Sequence, residues 1–355
     1  MASITLRQLA LEAGVSTAAV SYALNGLPGV SEKTRKHILK VAEKIGYQPD
    51  AEMTKLMAHV ATRRGRDDNA TLAFITDHGT LRAWEWNSSV LAPWTGAGAR
   101  AKELGYHLEE FWYTEPGMTP SRLRSILRAR GIQGLLFSMA SSDYRRLDFD
   151  FTGFACAMSG ICFQEPEINV VMPDHFRNTL EALTHAYTKG YRRPLLAQPA
   201  GASERTNHTI EGAYLYFCSV HNEVQALPVF RSRDYEKGPF VAFVDQHRPD
   251  LVVSTHGSWG RQMGSRVPEE FGWMTLGWMK GEDDDLAGVD RRLYEQGGFV
   301  VDMVVAAIHR NEPGVPSLRK EVMVRGQVVD GMSLPVRSDS ARIFSSQGPK
   351  RARAK

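Results

Sequence analysis

Apolar residues in the first fifty positions recur every three or four residues, the spacing typical of short helices with one buried face. Two such helices are predicted on either side of Gly14, a residue suited to a tight turn, and a third follows before Gly46. The inward positions are Leu6, Leu9, Ala10 and Ala13 in the first helix, Val20 and Leu24 in the second, and Ile38, Leu39, Ala42 and Ile45 in the third.

Capping residues mark where these helices begin and end. Thr5 and Gln8 have the spacing of a capping box, Ser16 and Ser31 are good N-caps for the second and third helices, and Gly46 suits a C-terminal stop. A short helix, a tight turn and a second helix predict a helix-turn-helix, which lays its second helix in the DNA major groove. The alternative is a helical hairpin that does not contact DNA.

Charge is distributed unevenly along the chain. Residues 1–66 carry 10 Lys and Arg against 5 Asp and Glu, residues 67–336 carry 27 against 34, and residues 337–355 carry 6 against 1. A basic N-terminal segment attracts phosphates by releasing counterions from DNA. The basic residues of the third helix either contribute to that attraction or form a solvated face; they are Lys33, Arg35, Lys36, Lys40 and Lys44.

Beyond a polar stretch at residues 63–69, apolar runs alternate with helical patterns, as in a parallel sheet with crossover helices. Strands are predicted at 71–76, 106–112, 133–138, 194–198, 226–230, 250–254 and 271–276, and helices at 90–104, 119–130, 176–189, 207–221, 236–247 and 296–310. The predicted domains are a helix-turn-helix head (1–48), a hinge helix and linker (49–66), an α/β body (67–336) and a basic disordered tail (337–355).

The segment from Thr5 to Ala58 resembles the DNA-binding head and hinge of the lactose-repressor (LacI/GalR) family of bacterial transcriptional regulators. The matching motifs are T-L-x-x-L-A-x-x-A-G-V-S-T-x-x-V-S-x-x-L-N-G, V-S-x-x-T-R-x-x-I and G-Y-x-P, with further phrases at 170–174, 190–193, 248–250, 287–290 and 311–316. The resemblance implies a small all-α head on an α/β body of two Rossmann-like lobes, similar to periplasmic sugar-binding proteins. It also implies a homodimer that binds a near-palindromic operator in double-stranded DNA.

Residues that contact DNA in the family have counterparts in this chain. Thr17, Ala18 and Tyr22 match base-reading positions, where Tyr22 replaces a more usual Arg or His. Positions that bind phosphate or sugar of the DNA backbone are matched by Thr5, Ser16, Ser21, Asn25, Ser31, Thr34 and Tyr47. Leu6 is also among the predicted DNA-binding residues.

The hinge segment of the family becomes helical on DNA and inserts a leucine into the minor groove. Leu56 stands at the matching position. This chain departs from the family pattern at Asp50, where Asn is usual, and at Thr54-Lys55, where Ala-Arg is usual. The alternative is a plain linker in which Leu56 has no such role.

Effector-binding residues are predicted at the carboxyl ends of strands, where ligands bind in such folds. The candidates are Asp77, His78, Trp84, Trp86, Asp174, Arg205, His256 and Trp278, and Trp94 lies with the other early tryptophans. Aromatic faces stack on sugar rings, so a carbohydrate is the favoured effector. Each tryptophan is alternatively a packing residue, and Asp174 is alternatively a helix N-cap. Ser254 to Trp259 replaces the Asn-Asp pair of the family, so the pocket is expected to be remodelled.

Other chemistry has little support in the sequence. No G-x-G-x-x-G or P-loop follows a strand, no histidines have metal-ligand spacing, and residues 282–285 are interpreted as a solvated acidic loop. No cofactor, metal site or membrane contact is therefore predicted, and the chain is not expected to be an enzyme. Cys156, Cys162 and Cys218 are odd in number, which fits a reducing cytoplasm.

The sequence therefore predicts a sequence-specific DNA-binding transcriptional regulator, and a repressor is the favoured kind. Its operator affinity is expected to respond to a small molecule held between two lobes. The alternative is a constitutive or architectural DNA-binding regulator whose body binds no small ligand.

The assignment of Leu56 to the minor groove predicts that Leu56→Ala weakens specific binding more than nonspecific binding. The lost wedge stabilises only the kinked operator. Binding assays on operator and on unrelated duplex check this; equal losses on the two DNAs would refute it.

Overall fold

The head is a bundle of three short helices around one apolar centre. The computed structural model describes residues 6–24, 29–47, 70–85, 87–139, 146–232 and 236–337, apart from the side chains of Arg7, Ala18 and Ser21. Helices α1 (Leu6–Ala13), α2 (Thr17–Leu24) and α3 (Glu32–Ile45) follow one another as predicted. The fully buried residues of the bundle are Leu9, Ala10, Ala13, Val20, Ala23, Ile38 and Ala42.

The predicted turn and caps of the head are confirmed where the structure describes them. Gly14 has a φ of 64° and Gly46 a φ of 70°, the left-handed region that glycine adopts without strain. The Ser31 hydroxyl accepts a hydrogen bond of 3.2 Å from the Thr34 amide. The prediction that Leu39 faces inward is wrong, because this side chain is 45% exposed. Thr5 lies outside the described residues, so the capping box with Gln8 stays a prediction.

The first lobe of the body is a six-stranded sheet in the order β11-β5-β4-β3-β1-β2, in which every pair is parallel. Its strands are β1 (Thr71–Thr76), β2 (His107–Trp112), β3 (Gly134–Ser138), β4 (Ala155–Ser159), β5 (Asn169–Pro173) and β11 (Glu321–Val324). Its helices are a 3-10 turn (Ala83–Glu85), α4 (Ser88–Glu103), α5 (Pro120–Ala129) and α12 (Leu293–His309). Apolar clusters cover both faces of the sheet.

The second lobe is a six-stranded sheet in the order β12-β10-β9-β8-β6-β7, parallel except for the pairing of β12 with β10. Its strands are β6 (Pro194–Pro199), β7 (Phe230–Ser232), β8 (Leu251–Ser254), β9 (Gly272–Trp278), β10 (Ala287–Asp290) and β12 (Gln327–Val329). Its helices are α6 (His175–Thr188), α7 (Ala202–Arg205), α8 (Thr209–Val220), α9 (Lys237–His247), α10 (Ser258–Met263) and α11 (Arg266–Glu269).

Most predicted strands are confirmed within a few residues, but five strands were not predicted. The strand predicted at 226–230 overlaps β7 only at Phe230. Strands β4, β5, β10, β11 and β12 have three to five residues each. Runs this short carry little periodicity, and β4, with the sequence Ala-Cys-Ala-Met-Ser, lacks the β-branched residues that mark strands.

The chain crosses between the lobes three times, and the crossings lie side by side. The first joins β5 to α6, the second joins β10 to α12, and the third joins β11 to β12. The Asp174 amide donates to the Val324 carbonyl (2.9 Å), and the Gly326 amide donates to Asn178 Oδ1 (2.8 Å). A Cβ on Gly326 would lie 2.7 Å from the Asp290 carbonyl oxygen, so only glycine fits there. One backbone hydrogen bond and one to the Asn178 side chain therefore join the first and third crossings, and β12 pairs with β10 beside the second.

Helix α12 returns from the second lobe and packs along α4 and under β3, β4 and β5. The two helices meet at Gly96 and Gly297, where their backbones are in contact. A Cβ on Gly96 would overlap the Tyr294 carbonyl, and one on Gly297 would overlap the Pro93 carbonyl. This close approach explains glycine in the interior of two long helices, where its entropy usually disfavours it.

Among the described residues, no helix combines the length and the apolar character needed to cross a membrane. The predicted domain bounds stay predictions, because residues 48–69 and 338–355 lie outside the described ranges.

We expect Gly96→Ala to lower the free energy of unfolding by about 1–3 kcal/mol, because the added methyl forces α4 and α12 apart. Urea unfolding checks this. The matched control is Gly98→Ala in the same helix, where a Cβ meets nothing within 4 Å. The control should gain up to about 1 kcal/mol of helix propensity. Equal effects of the two variants would contradict the packing argument.

Candidate functional site

The outward surface at the start of α2 is the candidate DNA-reading surface. The Ser16 hydroxyl accepts a hydrogen bond of 3.1 Å from the Ala19 amide, which fixes the entry of the helix. Thr17 is exposed, and Tyr22 is 42% exposed although it is aromatic. Ala18 and Ser21 lie in the helix, but their side chains are outside the described set. This end of α2 therefore presents small and polar groups to solvent.

A second group of predicted DNA contacts lies where α3 begins. Ser31 and Thr34 join their hydroxyls by a hydrogen bond of 2.7 Å at this helix N-terminus, a location that favours phosphate. Leu6 and Tyr47 are half-buried and pack against the apolar centre of the head. Thr5, Asn25 and Leu56 lie outside the described residues, as does the whole predicted hinge.

The carboxyl ends of the two sheets face each other across a cleft. The Ser88 hydroxyl at the start of α4 in the first lobe donates to the Glu282 carboxylate, which follows β9 in the second lobe. Charged groups that follow β5, β6, β8, β9 and β10 act on one another, so these strand ends lie near each other. Four predicted effector residues lie at these strand ends: Asp174, Arg205, His256 and Trp278.

The predicted tryptophans of the first lobe pack against protein groups. Trp84 stacks on Trp94 with ring centroids 5.5 Å apart, and its ring nitrogen donates to Glu110 (2.9 Å). Trp94 in turn meets Phe74 edge to face at 5.2 Å. Both rings are therefore engaged in packing, the alternative that the sequence left open. Trp86 lies outside the described residues.

Asp77, His78 and Asp174 lie at strand ends and are half-buried. The His78 carbonyl accepts a hydrogen bond from the Trp112 ring nitrogen (2.6 Å), which fixes the segment after β1. Asp174 caps α6, and its carboxylate accepts from the Arg177 amide at 3.0 Å. The N-cap role foreseen for Asp174 is therefore present, and its remaining carboxylate oxygen is 3.9 Å from Arg177 Nε.

The candidates of the second lobe differ in how firmly they are held. Trp278 donates its ring N–H to the carbonyls of Asp283 (2.8 Å) and Leu286 (3.1 Å), which fixes the ring at the end of β9. His256 is exposed, and its Nδ1 accepts from the Ser258 amide (3.1 Å). Desolvation lowers the pKa of His256, and Arg261 and Arg291 lower it further, against the opposing charge of Asp283. Arg205 is half-buried at the end of α7.

The interpretation of residues 282–285 as a solvated acidic loop is wrong for Asp283. This side chain is 2% exposed, pairs with Arg261 and accepts from the Met279 amide at 3.1 Å. A buried carboxylate with these partners is a structural element of the second lobe's cleft wall.

Two residues at the crossings were missed by the sequence reasoning. Arg291 follows β10 and His175 opens α6, so both lie where the chain passes between lobes. Burial, and then the charge of Arg291, lower the pKa of His175 to about 3. Burial also lowers the pKa of Arg291, although Asp290 and Asp283 oppose this. A cation directly after a strand indicates a ligand-binding residue, but Arg291 was missed because β10 was not predicted as a strand.

The described chain is therefore of the class that combines a helix-turn-helix head with a body of two α/β lobes. Residues 5–50 match the family model for bacterial regulatory proteins, lacI family. This match is confined to the head, and the fold of the body is shown by the structural comparisons.

Relatives in sequence match the head alone. Catabolite control protein A of Priestia megaterium is 40% identical over 63 residues, which are 18% of this chain and 19% of that protein. The protein of the same name from Streptococcus mutans is 41% identical over an equal length. The match therefore spans about a fifth of these relatives.

Solved structures match the whole architecture at low identity. The complex of the transcriptional regulator CelR with cellobiose has a TM-score of 0.54 at 16% identity, covering 93% of this chain and 99% of the other. The lac repressor dimer bound to operator and the anti-inducer ONPF has a TM-score of 0.53 at 16% identity, covering 94% and 100%. CcpA of Lactococcus lactis has a TM-score of 0.57 at 14% identity over 75% of this chain.

Because the folded pKa of His175 lies below the usual value of 6.5, the unfolded state takes up a proton first as the pH falls. Stability contributed by neutral His175 is therefore present above about pH 6.5 and declines below it. We expect His175→Asn to flatten this decline by up to about 1.4 kcal/mol per pH unit. Urea unfolding at several pH values checks this, with His107→Asn, which removes an exposed histidine, as control. A wild-type slope in His175→Asn would contradict it.

Proposed function

We propose that this protein is a sequence-specific DNA-binding transcriptional regulator, a repressor and not an enzyme, whose operator affinity depends on a small molecule bound between the lobes. The observation that carries the proposal is the exposed start of α2, with Thr17 and Tyr22 outward, in a head that matches the lacI family model. The partners proposed are double-stranded DNA with a near-palindromic operator, a second copy of the chain and a small effector. The proposed location is the cytoplasm.

The body is suited to couple effector binding to DNA binding. Three short crossings join the lobes, so a ligand that contacts both cleft walls changes the angle between them. The head is linked through residues 48–69 to β1 of the first lobe. The effector acts through its differential affinity for two lobe arrangements, and operator DNA affects effector affinity reciprocally.

Sugar effectors are supported by the structural relatives, because one was solved with cellobiose and another with ONPF and operator. The proposed site uses His256 and Trp278 at strand ends of the second lobe and Asp77 and His78 after β1 of the first. Such groups can orient hydroxyls against an aromatic face. The proposed effector site also includes Trp84, Trp86, Asp174 and Arg205.

A constitutive regulator is the second candidate. The observation that favours it is that both described tryptophans predicted for the first-lobe site, Trp84 and Trp94, stack on each other. A thermal-shift screen of sugars separates the candidates, because a ligand that binds only the folded protein raises the unfolding temperature increasingly as its concentration exceeds its Kd.

The proposed base-reading role of Tyr22 predicts that Tyr22→Arg changes the DNA sequence recovered by selection from a random duplex pool. Wild-type protein should recover two half-sites related by a dyad, and the variant should change the preferred base at a symmetric pair of positions by about 1–3 kcal/mol.

The matched control is Leu11→Arg, which adds the same charge at a residue of α1 that is 76% exposed. It should raise nonspecific affinity without changing the selected site. An unchanged site with Tyr22→Arg would remove Tyr22 from the reading surface, and no sequence preference in the wild type would overturn the proposed function.

A further inference from the structure

Arg291 is a partly buried arginine whose side chain has no hydrogen-bond acceptor or ion-pair partner in the described part of the chain. Its Nε is inaccessible to solvent and has no hydrogen-bond acceptor. No described carboxylate lies within 4 Å of its guanidinium nitrogens, whereas Arg261, close by in the same lobe, pairs in this way with Asp283. An unpaired buried cation is costly unless something compensates it.

Other buried arginine nitrogens in the molecule are compensated at the same side chain. Arg193 also has an Nε without an acceptor, but its terminal nitrogens donate to Gln225 (2.6 Å) and to the His247 carbonyl (3.1 Å). Arg319 pairs with Glu321 at 3.0 Å. Arg291 differs from both because none of its three nitrogens has a described acceptor.

The surroundings of Arg291 place it in the cleft. A Cβ on Gly277, at the end of β9, would lie 3.3 Å from Arg291 Cζ, so glycine leaves room for the guanidinium there. Its charge acts on His175 after β5 and on His256 after β8, and Arg205 after β6 acts on it. Groups at four strand ends therefore lie near this cation, one at β5 of the first lobe and the others at β6, β8 and β9 of the second.

The nearest carboxylates are already engaged elsewhere. Asp283 forms an ion pair with Arg261 and accepts from the Met279 amide. Asp290 accepts from the Arg292 amide at 2.8 Å, and Arg292 itself pairs with Glu295 at 3.2 Å. The attraction of Asp283 and Asp290 for Arg291 therefore acts at longer range, without a direct hydrogen bond.

We propose that the effector of this protein carries an anionic group, a phosphoryl or a carboxylate, which binds Arg291 between the lobes. This inference rests on the proposed function and specifies its ligand. The anion accepts hydrogen bonds from the guanidinium, and Arg205 adds a second positive charge on the same side of the cleft. Neutral His175 lies beside the site and donates or accepts one further hydrogen bond.

Binding at Arg291 also acts on the joint between the lobes. Arg291 lies on the second crossing and influences His175 on the first. An anion that contacts both residues ties two crossings together and favours one angle between the lobes. The anionic group is thus the part of the ligand that changes the angle between the lobes.

The test measures the unfolding temperature of the full-length protein without DNA, in sodium phosphate, sodium acetate and sodium chloride of equal ionic strength. Phosphate or acetate should stabilise the wild type above chloride, in a concentration-dependent way. Arg291→Gln should weaken the apparent affinity for the anion about tenfold or more. Arg291→Lys, which keeps the charge but loses the fork of donors, should retain part of the response.

The matched control is Arg177→Gln, which removes an exposed arginine of α6 and should respond as the wild type does. A stronger response to phosphate assigns a phosphoryl ligand, and a stronger response to acetate assigns a carboxylate. No stabilisation of the wild type, or the same stabilisation in Arg291→Gln, overturns the inference. Selection of DNA sites from a random duplex pool separates the inference from the proposed function. A preferred DNA site without a response to anions overturns only the inference. A response to anions without a preferred DNA site overturns only the proposed function.

Discussion

The three hydrogen-bonded crossings between the lobes are the constraint on which the rest of the body depends. They can lie side by side because Gly326 has no side chain at its contact with the Asp290 carbonyl, and because Asn178 accepts from the Gly326 amide. A narrow joint of this kind leaves the angle between the lobes adjustable while each sheet stays intact. A molecule bound in the cleft can therefore change the angle between the lobes.

The first lobe gains its rigidity from a helix that reaches it late in the chain. Helix α12 packs along α4 with glycine against backbone at Gly96 and Gly297, and it covers three central strands. The second lobe is thereby inserted between two parts of the first. The second lobe can therefore move at the joint relative to a closely packed first lobe, to which the DNA-binding head is linked.

The cleft combines fixed walls with one unsatisfied cation. Trp84 and Trp278 are held by hydrogen bonds to protein groups, and Asp283 is buried with Arg261. These residues shape the space and limit the groups left to bind a ligand. Arg291 remains as a charged group whose hydrogen bonds the described protein does not complete. This arginine favours an anionic effector over a neutral sugar.

The sequence by itself determined the head, because caps, turn glycine and apolar spacing are local features, and it determined the alternating α/β character of the body. It also indicated that the segment after β8 departs from the usual pattern. Only the tertiary structure decided that Leu39 faces solvent, that Asp283 is buried and that Arg291 and His175 lie near each other at the crossings. Short strands such as β4 and β10 have too few residues to show a period, and the contacts at the crossings join residues more than a hundred positions apart. Such contacts depend on how the lobes close upon each other, which no local pattern specifies.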